Sequence, residues 1–212
     1  MAKPTPSQLR SLTKRDARLG AAMRKLPKFP GFPDADYPRW TRYESLARAI
    51  VFQQLAFKAA DTIHGRVCAL TPGAAFPKPA QILALKDESL RGAGLSRAKL
   101  AAVRDLAAHI ADGRLHLASI HHCHDEEIIT RLTAVRGIGA WTAQMFMIFH
   151  LGRLDVLPIG DLGVQEGLRI LDGLKERPTP KQLEARGEVW APLRSVAAWM
   201  LYRVVDENKE RG

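Results

Sequence analysis

Residues 132–161, LTAVRGIGAWTAQMFMIFHLGRLDVLPIGD, constrain the fold of this 212-residue chain more than any other stretch. Gly137 and Gly139 form a tight hairpin between two helical patterns. Lacking Cβ atoms, they leave backbone N–H groups bare at the start of the next helix, where a helix terminus attracts anions such as phosphate. The following segment, Ala140–Leu151, is apolar nearly all round (Trp141, Met145, Phe146, Met147, Ile148, Phe149), which predicts a buried helix. Asp161 then opens a further helical pattern that carries Val164, Leu168 and Leu171 and stops at Asp172-Gly173. Asp is among the best N-cap residues. So soon after the hairpin, it is also placed to face whatever the hairpin holds.

The rest of the chain reads as helices without a convincing period-2 segment, so the expected class is all-α. A basic helix is expected over Gln8–Leu26, with Leu12, Leu19, Met23 and Leu26 on one face. The proline-rich connector PKFPGFPDADYP cannot be a long helix. Helical patterning resumes at Trp40 and runs through Leu70, carrying Leu46, Ile50, Leu55, Ile63 and Val67, until TPGAAFPKPA breaks it. Short helices are expected at Ala80–Leu85 and Glu88–Gly92, and Ser96 caps a helix over Arg97–Ala111. His116–His124 looks irregular, and Asp125 is expected to cap the helix that enters the hairpin. Thr179-Pro180 with Gln182 carries a capping signal, and Pro192 starts a last helix running to about Val205.

Charge narrows the partners. There are 32 Lys+Arg against 22 Asp+Glu, a formal net charge of +10, which favours polyanions. No apolar run approaches the ~20 residues that span a bilayer, and MAKPTPSQLR holds no apolar signal core. No membrane partner is therefore expected, and a nucleic-acid backbone is the anion that fits. Two cysteines, Cys68 and Cys123, exclude a disulfide framework and a four-cysteine zinc or iron–sulfur site. His116, His121, His122, Cys123 and His124 invite a metal reading, but adjacent ligands in one loop seldom close a tetrahedral site, and a solvated loop is the expectation.

The run Val135-Arg136-Gly137-Ile138-Gly139, followed by Ala140-Trp141-Thr142-Ala143, resembles the helix–hairpin–helix element of DNA repair glycosylases. Tyr43–Leu55 (YESLARAIVFQQL), Gly94–Lys99 (GLSRAK) and Trp190–Trp199 (WAPLRSVAAW) are similar to the alkylpurine-releasing branch, the 3-methyladenine DNA glycosylases of the type-II kind. No stretch matches the N-terminal sheet domain or the four-cysteine iron–sulfur loop that other members carry. The resemblance implies a two-lobed helical bundle with a DNA-binding cleft and the hairpin at the lobe junction. A central lobe (40–131), the hairpin element (132–151) and a second lobe (1–39 plus 152–212) are expected.

The resemblance also implies roles. Asp161 matches the catalytic aspartate, whose carboxylate stabilises the oxocarbenium-like sugar and orients or deprotonates water. Trp141 stands in the slot where bifunctional relatives carry a catalytic lysine; an indole forms no Schiff base, so a monofunctional hydrolase is implied. Trp141, Tyr202 and Met145 match base-pocket positions, the last where a larger relative has tyrosine, and aromatic faces attract a cationic methylated purine by about 0.5–2 kcal/mol each. Gln54, or Leu55 beside it, would fill the gap left by a flipped nucleotide. Gly137, Ile138, Gly139, Thr142, Ser96 and Lys99 would touch the DNA backbone. Carbonyls of Thr133, Val135 and Ile138 would hold a structural monovalent cation; no other cofactor is required. The expected partner is duplex DNA with damaged bases. A monomer is expected, located in the cytoplasm at the nucleoid if bacterial and in the nucleus otherwise. Two rival readings are a non-catalytic helix–hairpin–helix DNA-binding protein and a glycosylase for oxidised or mismatched bases.

Overall fold

A computed structural model of the chain describes residues 2–33, 40–73 and 75–211; the end of the proline-rich connector, residues 34–39, lies outside them. Among the described residues twelve α-helices follow one another, and the only strand-like pairing is an isolated bridge between Ala2 and Phe32. The all-α expectation holds. None of these helices is long and apolar enough to cross a membrane. The chain divides into two compact units, Met1–Tyr37 with Met147–Gly212, and Pro38–Phe146. The boundary falls inside the expected hairpin element (132–151): its turn lies in the second unit and residues 147–151 in the first.

In the first unit, α1 (Pro6–Arg15) and α2 (Ala17–Lys25) replace the single helix expected over Gln8–Leu26. Asp16 causes the break. Its Oδ1 accepts from Leu19 N at 3.0 Å as the α2 N-cap, while Oδ2 accepts from Trp190 Nε1 and Arg186, each at 2.7 Å. Both partners come from far along the chain. α10 (Leu162–Asp172), α11 (Pro180–Gly187) and α12 (Arg194–Arg211) complete the unit around Leu12, Leu19, Leu168, Trp190 and Leu201. The last helix starts two residues after Pro192 and continues past Val205. Gly163 and Gly167 let α10 lie close on α12: a Cβ on Gly167 would sit 2.6 Å from that of Leu201.

The second unit holds α3 (Arg42–Phe52), α4 (Phe57–Cys68), α5 (Pro79–Ala84), α6 (Asp87–Gly92), α7 (Arg97–Ala111), α8 (Asp125–Thr133) and the start of α9 (Ala140–Phe149). The pattern expected to run unbroken from Trp40 to Leu70 is cut at Gln53–Ala56, because Gln54 takes a left-handed φ of 55°. Asp125 is the first residue of α8 rather than its cap; His124 precedes it and makes no side-chain capping bond. The helix α9 is not buried all round either, since Trp141 is 48% exposed.

Candidate functional site

The hairpin lies between α8 and α9. Ala134 N and Val135 N bond back to Thr130 O and Leu132 O, ending α8, and Ile138 N closes the turn onto Val135 O at 3.1 Å. Arg136 N donates to Asp105 Oδ2 at 2.7 Å, tying the turn to α7. Ile138 is buried, so its side chain anchors the turn and its N–H is already used within it. The two glycines differ. Gly137 has φ +81°, and a Cβ there would stand 2.8 Å from the Ala102 Cβ, so the fold itself demands glycine. Gly139 has no atom within 4 Å of an added Cβ. Internal packing gives no reason for glycine there, whereas a ligand approaching the backbone would. Gly139 O accepts from Ala143 N, so the amides of Ala140, Trp141 and Thr142 form the first turn of α9 and lack intrahelical acceptors.

Around the α3–α4 connection, Gln53 (φ −54°, ψ 132°) precedes Gln54 (φ 55°), a sequence of dihedrals that suits the centre of a type II turn. Glycine normally occupies the second of those places, and an L-residue there carries a cost of about 1–2 kcal/mol. The surroundings hold it in place. Lys99 Nζ donates to Val51 O at 2.6 Å and Gln53 O at 2.8 Å. Gln53 Nε2 donates to Gly137 O at 2.9 Å and lies 3.4 Å from Thr142 Oγ1. Ser96 Oγ accepts from Lys99 N as the α7 cap. The Lys99 ammonium and the Thr142 hydroxyl are thus engaged inside the unit. Beyond Gln54 the loop is exposed and partly apolar, with Leu55 and Phe57, the latter 70% exposed.

Next to that loop is a cavity of about 420 Å³ lined by Ala49, Phe52, Gln53, Gln54, Trp141, Thr142 and Met145. Two expected pocket residues, Trp141 and Met145, therefore share one space with the expected gap-filler Gln54. One face of Phe52 is taken by the Arg48 guanidinium, 3.5 Å from its ring centroid. The cavity walls are mostly apolar, with polar atoms supplied by the two glutamines and Thr142.

In the first unit, Asp161 is both a buried residue (7% exposed) and the N-cap of α10: its Oδ1 accepts from Val164 N at 2.9 Å. Gln165 Nε2 donates to Ile159 O at 2.8 Å and fixes the loop before it. Tyr202 on α12 donates its hydroxyl to the Asp161 carboxylate; burial, then the Asp161 charge and this bond, push the phenol far above its usual range. Gly163 makes room for the pair. A Cβ there would come within 2.8 Å of the Tyr202 ring and 3.1 Å of Asp161 Oδ1. Leu162, next to Asp161, is 63% exposed.

The family model of the HhH-GPD superfamily base excision DNA repair proteins matches residues 47–192, a span that includes the hairpin, Gln54, Lys99 and Asp161. The chain belongs to the HhH-GPD superfamily. Among HhH-GPD relatives, it is 34% identical over 199 residues to DNA-3-methyladenine glycosylase 1 of Schizosaccharomyces pombe, covering 91% of this chain and 87% of that one. Its fold matches a crystal structure of a DNA-3-methyladenine glycosidase from Bacillus halodurans with TM-score 0.87 and 37% identity, over 99% of this chain and 94% of the other. It also matches a Schizosaccharomyces pombe 3-methyladenine DNA glycosylase in complex with abasic DNA, with TM-score 0.81 and 31% identity over 92% and 95% of the two chains.

Sequence reasoning missed Gln53, Phe52 and Gly163. The first two lie inside the Tyr43–Leu55 stretch that carries the resemblance, but their own part comes from contacts remote in sequence. Gly163 was detectable: Gly163 and Gly167, four apart on α10, mark a face of close helix approach. Among the described residues no group of three or more His, Cys, Asp and Glu could hold a metal ion. His121 and His122 instead lie ring against ring, with centroids 3.8 Å apart.

Proposed function

We propose that this chain is a monomeric, monofunctional DNA glycosylase that excises alkylated purines of the 3-methyladenine kind from duplex DNA. The observation that carries the reading is the cavity of the second unit, where Trp141 and Met145 line a space large enough for a base beside the left-handed Gln54. Its apolar walls offer few groups to read an oxidised base through hydrogen bonds. A half-exposed indole offers an electron-rich face to a cationic one. Such selection uses charge and stacking, and alkylation supplies both signals.

The chemistry then falls to Asp161. As the glycosidic bond breaks, its electron pair passes to the purine nitrogen and cancels the positive charge of the alkylated base. Positive charge builds on the deoxyribose, where the carboxylate opposes it. A water oxygen bonds to C1′ and its proton passes to the carboxylate, leaving an abasic site. Trp141 in place of a lysine supports a strand left uncut. Hairpin amides from Gly139 to Thr142 would hold a phosphate. The Thr133 carbonyl, at the end of α8, has no intrahelical donor. With the carbonyls of Val135 and Ile138 it would hold a monovalent cation, which would add positive charge beside that phosphate. With damaged chromosomal DNA as substrate, the protein would act in the cytoplasm at the nucleoid if bacterial and in the nucleus otherwise.

The test is incubation of alkylated duplex with wild type and Asp161→Asn, with freed bases identified by chromatography and strands run on a denaturing gel. Wild type should release methylated purines and leave full-length strands, while Asp161→Asn binds DNA and releases none. Release by Asp161→Asn at the wild-type rate would overturn the catalytic assignment, and strand cleavage by wild type the monofunctional one.

A further inference from the structure

The resemblance assigns Lys99 to a DNA phosphate, but its position in the fold gives it other work. An α-helix leaves its last carbonyls without intrahelical donors. At the end of α3 the Lys99 ammonium supplies them, spending two of its three N–H donors on Val51 O and Gln53 O at 2.6 and 2.8 Å. The lysine reaches across from the first turn of α7, whose backbone Ser96 fixes by capping. Burial lowers the ammonium pKa.

The same loop is gripped from its other side. The Gln53 amide reaches Gly137 O at 2.9 Å, so the residue before Gln54 is held at its carbonyl by Lys99 and at its side chain by the hairpin. Gln54 itself stays at φ 55°, a conformation that persists in a glutamine only when its neighbours over-determine it. We infer that Lys99 and Gln53 form a brace that positions Gln54, with Lys99 acting on the gap-filling side chain and not on a phosphate. This rests on the reading of Gln54 as the residue that fills the vacated stack. The brace also links functions: the carbonyl that Gln53 holds belongs to the turn whose following amides face the strand.

Three readouts on the full-length protein separate a brace from a phosphate contact. In Lys99→Met, amide hydrogen exchange at residues 52–55 should accelerate. Single-turnover excision at saturating enzyme should fall about tenfold or more, the scale of a lost hydrogen bond to a charged group. The salt dependence of binding to a duplex with an abasic analogue should keep its wild-type slope. Added to Gln54→Ala, Lys99→Met should cost nothing further in excision. A slope reduced by about 0.9, the signature of one lost phosphate contact, with unchanged exchange would overturn the inference, as would additive losses in the double variant. If Gln54→Ala excises like wild type, the gap-filler reading falls, and faster exchange in Lys99→Met then keeps the brace while unchanged exchange sinks it too. Should Lys99→Met fail to fold, Gln53→Leu removes only the ties to Gly137 O and Thr142 Oγ1; exchange at residues 52–55 should again accelerate and excision fall with no further loss on adding Gln54→Ala, and unchanged exchange or additive losses would overturn the brace.

Discussion

The two hairpin glycines are two residues apart, yet alanine should expose opposite needs. At Gly137 an alanine would have to hold φ near +81° and meet the Ala102 Cβ at 2.8 Å. The left-handed conformation costs about 1–2 kcal/mol and the overpacking about 1–3 kcal/mol, so Gly137→Ala should lose about 2–5 kcal/mol of stability. At Gly139 neither term applies. A poorer N-cap costs a few tenths to about 1 kcal/mol, and the stiffer unfolded chain returns about 0.4–1 kcal/mol. Gly139→Ala should therefore fold as well as wild type. Its new methyl nevertheless points into open space at the head of α9, where a phosphate would come against the backbone. Losing one charge-assisted amide contact is worth about 1.5–3 kcal/mol, which is roughly a 10- to 150-fold rise in Kd. Thermal unfolding and fluorescence anisotropy with an abasic-analogue duplex measure the two quantities. A Gly139→Ala protein that binds as tightly as wild type would refute the argument that hairpin amides touch the strand.

Other perturbations probe the first unit. Tyr202→Phe removes the hydroxyl donated to Asp161 while keeping the ring that packs over Gly163. It should lower kcat about 10- to 100-fold, as expected for a hydrogen bond to a charged group, with little change in melting temperature; unchanged kcat would show that the phenol only packs. Asp16→Ala should destabilise by about 2–4 kcal/mol, by removing the α2 cap and leaving the Trp190 indole N–H buried without its acceptor, while Arg186 keeps Asp172. The pH dependence has a definite sign. Burial raises the Asp16 pKa, but the bonds from Leu19 N, Trp190 and Arg186 outweigh it and hold the carboxyl below its ordinary 3.8. Its stabilisation is therefore complete above about pH 4 and disappears as pH falls through the lower folded value. Wild type should lose melting temperature below pH 4 more steeply than Asp16→Asn; parallel curves would remove Asp16 from the account.

Local signals were legible where a cap sits next to the helix it starts. Ser96 sets α7 at Arg97–Ala111 as expected, and Thr179 with Gln182 forms the capping box of α11. Both breaks inside apolar patterns were hidden. Leu12 and Leu19 share a face whether or not the helix stops at Asp16, and only Trp190 and Arg186 turn that Asp into a buried cap. Likewise Leu46 through Val67 keep helical spacing across Gln53–Ala56, because the turn is imposed by Lys99 and the hairpin rather than by a glycine or proline. Within the site, the residue types that carry chemistry were visible by resemblance. The contacts that aim them, Gln53 onto the hairpin carbonyl and Lys99 onto the end of α3, were not, since aim is a property of contacts between distant segments.

Asp161 raises the same issue most sharply, because a capping aspartate and a catalytic one look alike in sequence. Here they are one residue. Capping uses Oδ1 through the Val164 amide and fixes the side-chain rotamer. A carboxylate offers about four lone-pair sites, so capping leaves room for the Tyr202 hydroxyl and for a water. Preorganisation of this kind is what a group that must act without rearranging requires. Asp161→Ser separates the two functions. Serine caps a helix about as well as aspartate, whereas alanine costs about 1 kcal/mol. Asp161→Ser should therefore melt close to wild type, Asp161→Ala measurably below it, and neither should release base, since a hydroxyl neither opposes charge on the sugar nor takes a proton from water. Base release by Asp161→Ser at a rate near wild type would leave Asp161 with capping alone, and the search for the catalytic acid group would have to move elsewhere in the chain.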